Sequence, residues 1–135
     1  MVEWGGMSEE IVTRLRAFLA HAARPLVVIL GPTASGKTAF SLEVAEELSR
    51  LGVRGEIVNA DSRQLYRSLD IGTAKILSSQ MCGVPHHLLD VLDPQEEVTI
   101  AWYKERAQRA VDDILARGAI PLLVGGSMLY LSAII

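Results

Sequence analysis

The stretch VVILGPTASGKTAF, Val27–Phe40, decides the fold. A short run of β-branched and apolar residues leads into a glycine-bounded turn, and the turn ends in lysine and threonine. Gly31, Gly36, Lys37 and Thr38 satisfy the spacing G-x-x-x-x-G-K-[ST]. By average composition such a match arises by accident in a chain of this length on the order of one time in a few hundred, so the match demands a physical reading. Glycines let backbone N–H groups turn inward and approach anionic oxygens. A helix starting near Lys37 points its positive end at the same place. Lys37 adds a mobile positive charge, and the Thr38 hydroxyl is a hard oxygen ligand for Mg²⁺. Gly31, Pro32, Thr33, Ala34, Ser35, Gly36, Lys37 and Thr38 therefore read as a site for a diphosphate or triphosphate. The loop alone does not say which.

The elements on either side agree with this reading. Leu26–Leu30 is a continuous apolar run, expected as a buried parallel strand, and the helix after the loop runs to about Leu51, closed by Gly52. Upstream, Ser8 caps a helix that carries Ile11, Leu15, Phe18, Leu19 and Ala22 on one face and stops at Pro25. Downstream, Glu56–Ala60 reads as a second strand and Asp61–Lys75 as a loop holding a helical turn. His87–Leu92 reads as a third strand, closed by the Asp93-Pro94 turn. Thr99 caps a helix to Arg117 in which Ile100, Tyr103, Ala107, Val111, Ile114 and Leu115 keep the 3.6-residue period, and Gly118 ends it. Pro121–Gly125 is another buried strand, and Ser127 opens a last apolar helix.

Alternating strands and helices predict an α/β fold with a doubly wound parallel sheet. The organisation expected is an N-terminal extension with an amphipathic helix over 1–25 and a phosphate-loop core over 26–135. Met128–Ile135 is almost wholly apolar, which predicts the front part of a longer protein.

The bulk numbers set limits. The 135 residues suffice for one domain, and half of them are hydrophobic, against a disordered chain. A formal net charge of -3 excludes a surface that coats nucleic acid, so any such contact is local. Cys82 is the single cysteine, which excludes an internal disulfide and suits a reducing cytosol. No stretch has the length of a membrane span, and Glu9, Glu10, Arg14 and Arg16 interrupt what a signal peptide would keep apolar.

Asp61 follows the second strand, at the carboxyl edge where ligands bind in such sheets. A carboxylate there can hold Mg²⁺ or accept a proton from a nucleophile, or it can cap the next turn. His86 and His87 are adjacent on a strand and point to opposite faces, which excludes joint chelation of one ion. Arg63, Arg67 and Lys75 form the basic cluster nearest the site, placed to meet phosphates or to be solvated. Glu105 and Arg109 form an i,i+4 pair on a solvated helix face. Trp102 and Tyr103 read as core or pocket wall.

Five stretches, GPTASGKT, NADSRQLY, DIGTAK, GVPHHLLDVLDP and IPLLVGGSMLY, stand in this order and spacing over Leu26–Ile135. Together they closely resemble the tRNA dimethylallyltransferases, also called tRNA isopentenyltransferases. The resemblance implies a P-loop kinase-like core whose loop holds the diphosphate of dimethylallyl diphosphate. It implies transfer of the prenyl group to the exocyclic amine of the adenosine 3′ of the tRNA anticodon, with diphosphate as the leaving group. It implies Lys37 as a catalytic cation, Mg²⁺ near Thr38 and Ser35, and Asp61 as the base that takes the amine proton. Asp61, Ser62, Arg63 and Gln64 match the segment that contacts a flipped-out target base. The family's G-G-T is Gly125-Gly126-Ser127 here, which keeps a hydroxyl at Ser127 for catalysis and tRNA contact and loses a methyl. Ile76 replaces the proline of I-G-T-A-K-P. Family members are roughly twice this long, with an inserted helical domain that grips the tRNA, and the sequence shows no obligate protein partner. Two alternatives share the loop: a small-molecule or nucleoside monophosphate kinase that transfers a phosphoryl group from ATP, and a fragment that binds phosphate without catalysis.

Overall fold

The computed structural model describes residues 8–30, 36–67, 81–89, 91–126, 130, 132 and 134, with Arg63 described by its backbone only. In chain order the elements are α1 (Glu9–His21), β1 (Val27–Leu30), α2 (Lys37–Arg50), β2 (Gly55–Asn59), β3 (His86–His87), α3 (Ile100–Ala116) and β4 (Ile120–Gly125). A 3-10 turn covers Ser62–Leu65.

The four strands form one parallel sheet in the order β1-β4-β2-β3. β4 lies at its centre, with Leu30 beside Gly125 on one flank and Asn59 beside Val124 on the other. Every residue of β2 and β4 is buried, as expected for parallel strands covered on both faces. Ile29, Ile57, Leu122 and Val124 pack with Val44, Ala45 and Leu48 of α2, and Leu15 of α1 joins them. Val58 and Leu123, which alternate with those residues, pack with Tyr103, Ala107, Val111 and Ile114 of α3. The period of two in the strands meets the period of 3.6 in the helices, and that match builds the two core layers.

Local chemistry sets the helix ends. Ser8 Oγ accepts from the Ile11 N–H at 3.3 Å, and Thr99 Oγ1 accepts from the Trp102 N–H at 3.0 Å, so both predicted N-caps form. Gly118 follows α3 with φ of 76°, the left-handed turn that glycine adopts without strain. An ion pair of Arg24 with Asp112 at 2.6 Å ties the segment after α1 to α3. Both side chains are more than half exposed, which makes the pair worth little.

Two expectations need correction. β2 spans Gly55–Asn59, one residue earlier than the expected Glu56–Ala60. The third strand is His86–His87 alone, where His87–Leu92 was expected. Leu88 takes φ of 65°, which turns the chain off the sheet, and Leu92 instead bridges to Tyr66. An apolar run carries no sign of such a turn, because any of its residues can hold it at a cost. Of the last expected helix, Tyr130, Ser132 and Ile134 are helical, and the Tyr130 ring stacks on Tyr103 with centroids 4.3 Å apart. Ser127, expected to open that helix, lies outside the described residues.

Gly125 is fixed by close approach. A Cβ there would lie 2.4 Å from the carbonyl carbon and oxygen of Ala60. Ala60 N–H donates to the Val124 carbonyl at 2.8 Å, so the ends of β2 and β4 are drawn together at this point. Only glycine permits that contact.

Candidate functional site

All four strands are parallel, so β1, β2 and β4 deliver their carboxyl ends to one edge. The α2 N-terminus opens on that edge. Gly36 caps it with φ of 86° and no side-chain hydrogen bond, a conformation that suits glycine and leaves the first N–H groups of α2 facing outward. Lys37 and Thr38 follow at the start of the helix. Lys37 is buried, at 7 % exposure. Ser41 Oγ donates to the Thr38 carbonyl at 2.6 Å and tightens this first turn. Gly31, Pro32, Thr33, Ala34 and Ser35 lie outside the described residues, as does Ser127.

Asp61 stands two residues beyond β2 and is also 7 % exposed. Its backbone is held by Asn59, a residue that sequence reasoning did not single out. Asn59 Oδ1 accepts from the Asp61 N–H at 3.0 Å, while its Nδ2 donates to the Asp61 carbonyl at 2.9 Å and the Leu88 carbonyl at 3.0 Å. The buried Tyr103 hydroxyl donates to the Asn59 carbonyl at 2.8 Å. Burial pushes the Tyr103 phenol well above its ordinary range, with Tyr130 adding to the effect, so it stays a proton donor. The carboxylate is thus mounted on a rigid base. Asparagine at a strand end was the available signal, because its side chain can mimic a turn of backbone.

A small cavity of about 30 Å³ lies beside the start of α2, and Asp61 is not among its lining residues. Lys37, Thr38, Ser41, Asn59, Gln64 and His86 line it. Lys37, Thr38 and Gln64, predicted from separate stretches of sequence, therefore meet at one place. Ser62 sits in the 3-10 turn with Gln64, and the Gln64 N–H donates to the Asp61 carbonyl at 3.2 Å. The Arg63 side chain and Lys75 lie outside the described residues. Arg67 pairs with Asp93 at 2.9 Å on the surface. A much larger cleft, about 850 Å³, opens between the far end of α2 and the turn over 81–85. It touches the amino end of β2 at Gly55, which leaves Asp61 at the opposite end of that strand.

The two histidines face opposite ways, as their adjacency requires. His86 faces the α2 side and lines the cavity. Its Nδ1–H donates to the Val84 carbonyl at 2.8 Å. Burial lowers its pKa, partly opposed by that hydrogen bond. His87 faces the other side and meets the buried Glu56 at 2.8 Å, where Arg117 also binds at 2.6 Å. Burial pushes the Glu56 carboxyl up, but the hydrogen bonds from Arg117 and His87 outweigh it and hold the carboxyl below its ordinary value. Glu56 fastens β2, β3 and the end of α3 and stays clear of the cavity. Tyr103 is core; Trp102 is half-buried with the Arg106 guanidinium 5.4 Å above its ring. The Glu105–Arg109 pair forms at 3.1 Å with both side chains exposed.

Among the described residues no three His, Cys, Asp or Glu side chains gather to hold a metal ion, and no helix is long and apolar enough to cross a membrane. The oxygen chemistry of Thr38 fits a Mg²⁺ that arrives with a phosphate ligand, since this ion keeps several waters and needs few protein ligands.

Comparison with known proteins agrees with this architecture. The family model described as IPP transferase matches residues 64–135. A tRNA dimethylallyltransferase of Clavibacter sepedonicus is 55% identical over 82% of the chain and 36% of its own length. One from Mycobacteroides abscessus is 57% identical over 83% of the chain and 34% of its own length. Among solved structures, the full-length tRNA isopentenylpyrophosphate transferase of Bacillus halodurans superimposes with a TM-score of 0.77 at 46% identity, covering 83% of this chain and 35% of that one. A eukaryotic dimethylallyltransferase acting on tRNA gives 0.76 at 33% identity, over 82% of this chain and 26% of that one. The chain spans about a third of the length of the curated relatives it matches. With a parallel sheet, an aspartate braced at its carboxyl edge and these matches, the chain belongs to the IPP transferase family.

Proposed function

We propose that this chain is the donor-binding and catalytic core of a cytosolic tRNA dimethylallyltransferase. The observation that carries the reading is the meeting of Lys37, Thr38 and Gln64 around one cavity, which is also lined by Asn59, the residue that fixes the Asp61 backbone. Cation, hydroxyl and carboxylate stand on one sheet edge, so an anionic leaving group and a proton-losing nucleophile can be served together.

The donor is dimethylallyl diphosphate. Its allylic carbon–oxygen bond breaks, and the bonding electrons leave with diphosphate. Lys37 and the outward N–H groups of the α2 N-terminus stabilise that charge. Thr38, with Ser35, would hold Mg²⁺, which when bound spreads the same charge. The acceptor is the exocyclic amine of the adenosine 3′ of the anticodon. Its nitrogen bonds the allylic carbon and its proton passes to Asp61. Ser62, Arg63, Gln64 and Ser127 contact the extruded base and its neighbours.

The test joins this chain to the remaining two thirds of the Clavibacter sepedonicus relative and supplies labelled dimethylallyl diphosphate with an anticodon stem-loop. Label is expected on the RNA with release of diphosphate. Donor binding without transfer would overturn the catalytic reading, and phosphorylation of a small acceptor from ATP would turn it toward a kinase.

A further inference from the structure

The chain leaving β3 breaks the alternation of its side chains, and the break has a cause. In an extended strand successive side chains point to opposite faces. His86 lines the cavity beside the start of α2, and His87 meets Glu56 on the other face. Alternation would return Leu88 to the cavity. Instead Leu88 packs against the α3 core layer, and Leu89 lines the cavity. The left-handed φ of 65° at Leu88 accounts for the inversion. Leucine takes that conformation at a cost, so its surroundings must hold it there.

The holding group is the side chain of Asn59. The ladder pairs Ile57 with His86 and Val58 with His87, and the next rung would set Asn59 against Leu88. There the side chain makes the bond in place of the backbone. Nδ2 donates to the Leu88 carbonyl at 3.0 Å and to the Asp61 carbonyl at 2.9 Å, and Oδ1 accepts from the Asp61 N–H at 3.0 Å. Both Nδ2 protons are used, one on each carbonyl. A flipped amide would set N–H against N–H, so the partners fix its orientation. Asn59 is 4 % exposed, and bonds so buried are strengthened by the low local dielectric. The amide is planar, so it holds the two carbonyls, from distant chain segments, in one fixed relation.

We propose that Asn59 is a positioning residue that locks the Asp61 backbone and the left-handed turn at Leu88 into one unit, keeping the proton acceptor and the Leu89 wall of the cavity in a set relation. The two halves depend on each other through the one amide. Opening of the turn at Leu88 withdraws Leu89 from the cavity and removes one anchor of the amide, which loosens Asp61. Loss of Asn59 leaves the strained turn without its partner and frees Asp61 at the same time. The role of Asp61 rests on the function proposed above, whereas the link between Leu88 and Asp61 does not.

The experiment has two arms, and Leu88→Ile is the probe common to both. It conserves side-chain volume, but a β-branched residue opposes a left-handed backbone. In the first arm, on the ¹⁵N-labelled chain without ligand, Leu88→Ile should move the Asp61 amide resonance. Combined with Asn59→Ala, it should move that resonance no further than Asn59→Ala alone. An Asp61 resonance indifferent to Leu88→Ile, or one that moves equally without Asn59, overturns the proposal. If Asn59→Ala does not fold, Asn59→Asp, of the same shape but with no Nδ2 donor, takes its place. The second arm measures single-turnover transfer at saturating donor in the enzyme completed with the relative's remaining length. Asn59→Ala should lower the rate about tenfold, the worth of one or two ordinary hydrogen bonds, and Leu88→Ile should lower it less. On the Asp61→Asn background neither should lower it further. An undiminished loss there would mark Asn59 as merely structural and overturn the proposal. Absence of transfer by the unaltered completed enzyme would refute the function proposed above instead, and the first arm would still decide the link.

Discussion

Gly125→Ala should destabilise the chain severely, and the structure fixes the size of the effect. The added methyl would sit 2.4 Å from the Ala60 carbonyl carbon and oxygen and 2.7 Å from the Ala60 Cβ. Relief needs about 1 Å of separation, since carbon atoms at rest stand ~3.5–4.0 Å apart. The obstacle is backbone rather than the end of a flexible side chain, so it has no rotamer to escape through. The separation stretches the Ala60–Val124 hydrogen bond, now 2.8 Å, beyond bonding range. Overpacking costs about 1–3 kcal/mol and the lost bond about 1 kcal/mol, together roughly 2–4 kcal/mol. For a domain of this size that lowers Tm by roughly 8–15 °C. The control is Gly118→Ala, where a Cβ meets nothing within 4 Å but φ is 76°. Backbone strain alone should cost about 1 kcal/mol there. Thermal melts followed by circular dichroism compare the two. A Gly125→Ala protein melting within 2 °C of the Gly118→Ala protein, at ~1 kcal/mol of total cost, would refute the argument from close approach.

Three further changes test the site and its supports. In the enzyme completed with a relative's remaining length, Lys37→Ala should cut transfer roughly 10²–10³-fold, the effect of one lost transition-state donor; an activity within twofold of the parent, by single-turnover assay, would remove its role. Asp61→Asn in the same enzyme should keep donor affinity and lose transfer by about 10²–10⁴-fold, and normal transfer would exclude the base. The Glu56 carboxyl is held below its usual 4.5 in the fold, so its contribution is complete above that value and is lost as pH falls through the lower folded pKa. Acid melts of Glu56→Gln should accordingly show a shallower loss below pH ~4 than the parent, and parallel curves would show that the Arg117 and His87 contacts carry no net linkage.

Much of this was legible in the chain, for identifiable reasons. Ser8 and Thr99 are side-chain oxygens placed before apolar-periodic runs, and each caps its helix as read. The run Val27–Leu30 was readable as a strand because it precedes a glycine-bounded turn and is too short for a helix. Lys37, Thr38 and Gln64 were found by motif and came together in space. What escaped notice was the support beneath them. Asn59 bonds across 29 residues to Leu88, and Tyr103 across 44 to Asn59. Contacts of that range leave no trace in local pattern. The end of β3 was also missed, because Leu88 takes a left-handed turn inside an apolar run.

The unread residues share a physical task, and this explains why a motif search passes over them. In the function proposed above, Asp61 takes a proton, and a group with that task depends on where it stands to a fraction of an ångström. A residue just past a strand has lost its ladder and would drift. Here the ladder is extended by side chains: Asn59 replaces the missing strand partner of Asp61 with a paired donor and acceptor, and Tyr103 pins Asn59 from the α3 layer. Gly125 then brings the end of β4 against Ala60, one residue before Asp61. Three contacts from three elements thus converge on the residues that precede a single carboxylate. Chemistry-bearing residues are recognisable by type because few side chains can do the chemistry. Their supports can be any side chain of suitable length and polarity, so their identity is written in the fold and only faintly in the sequence.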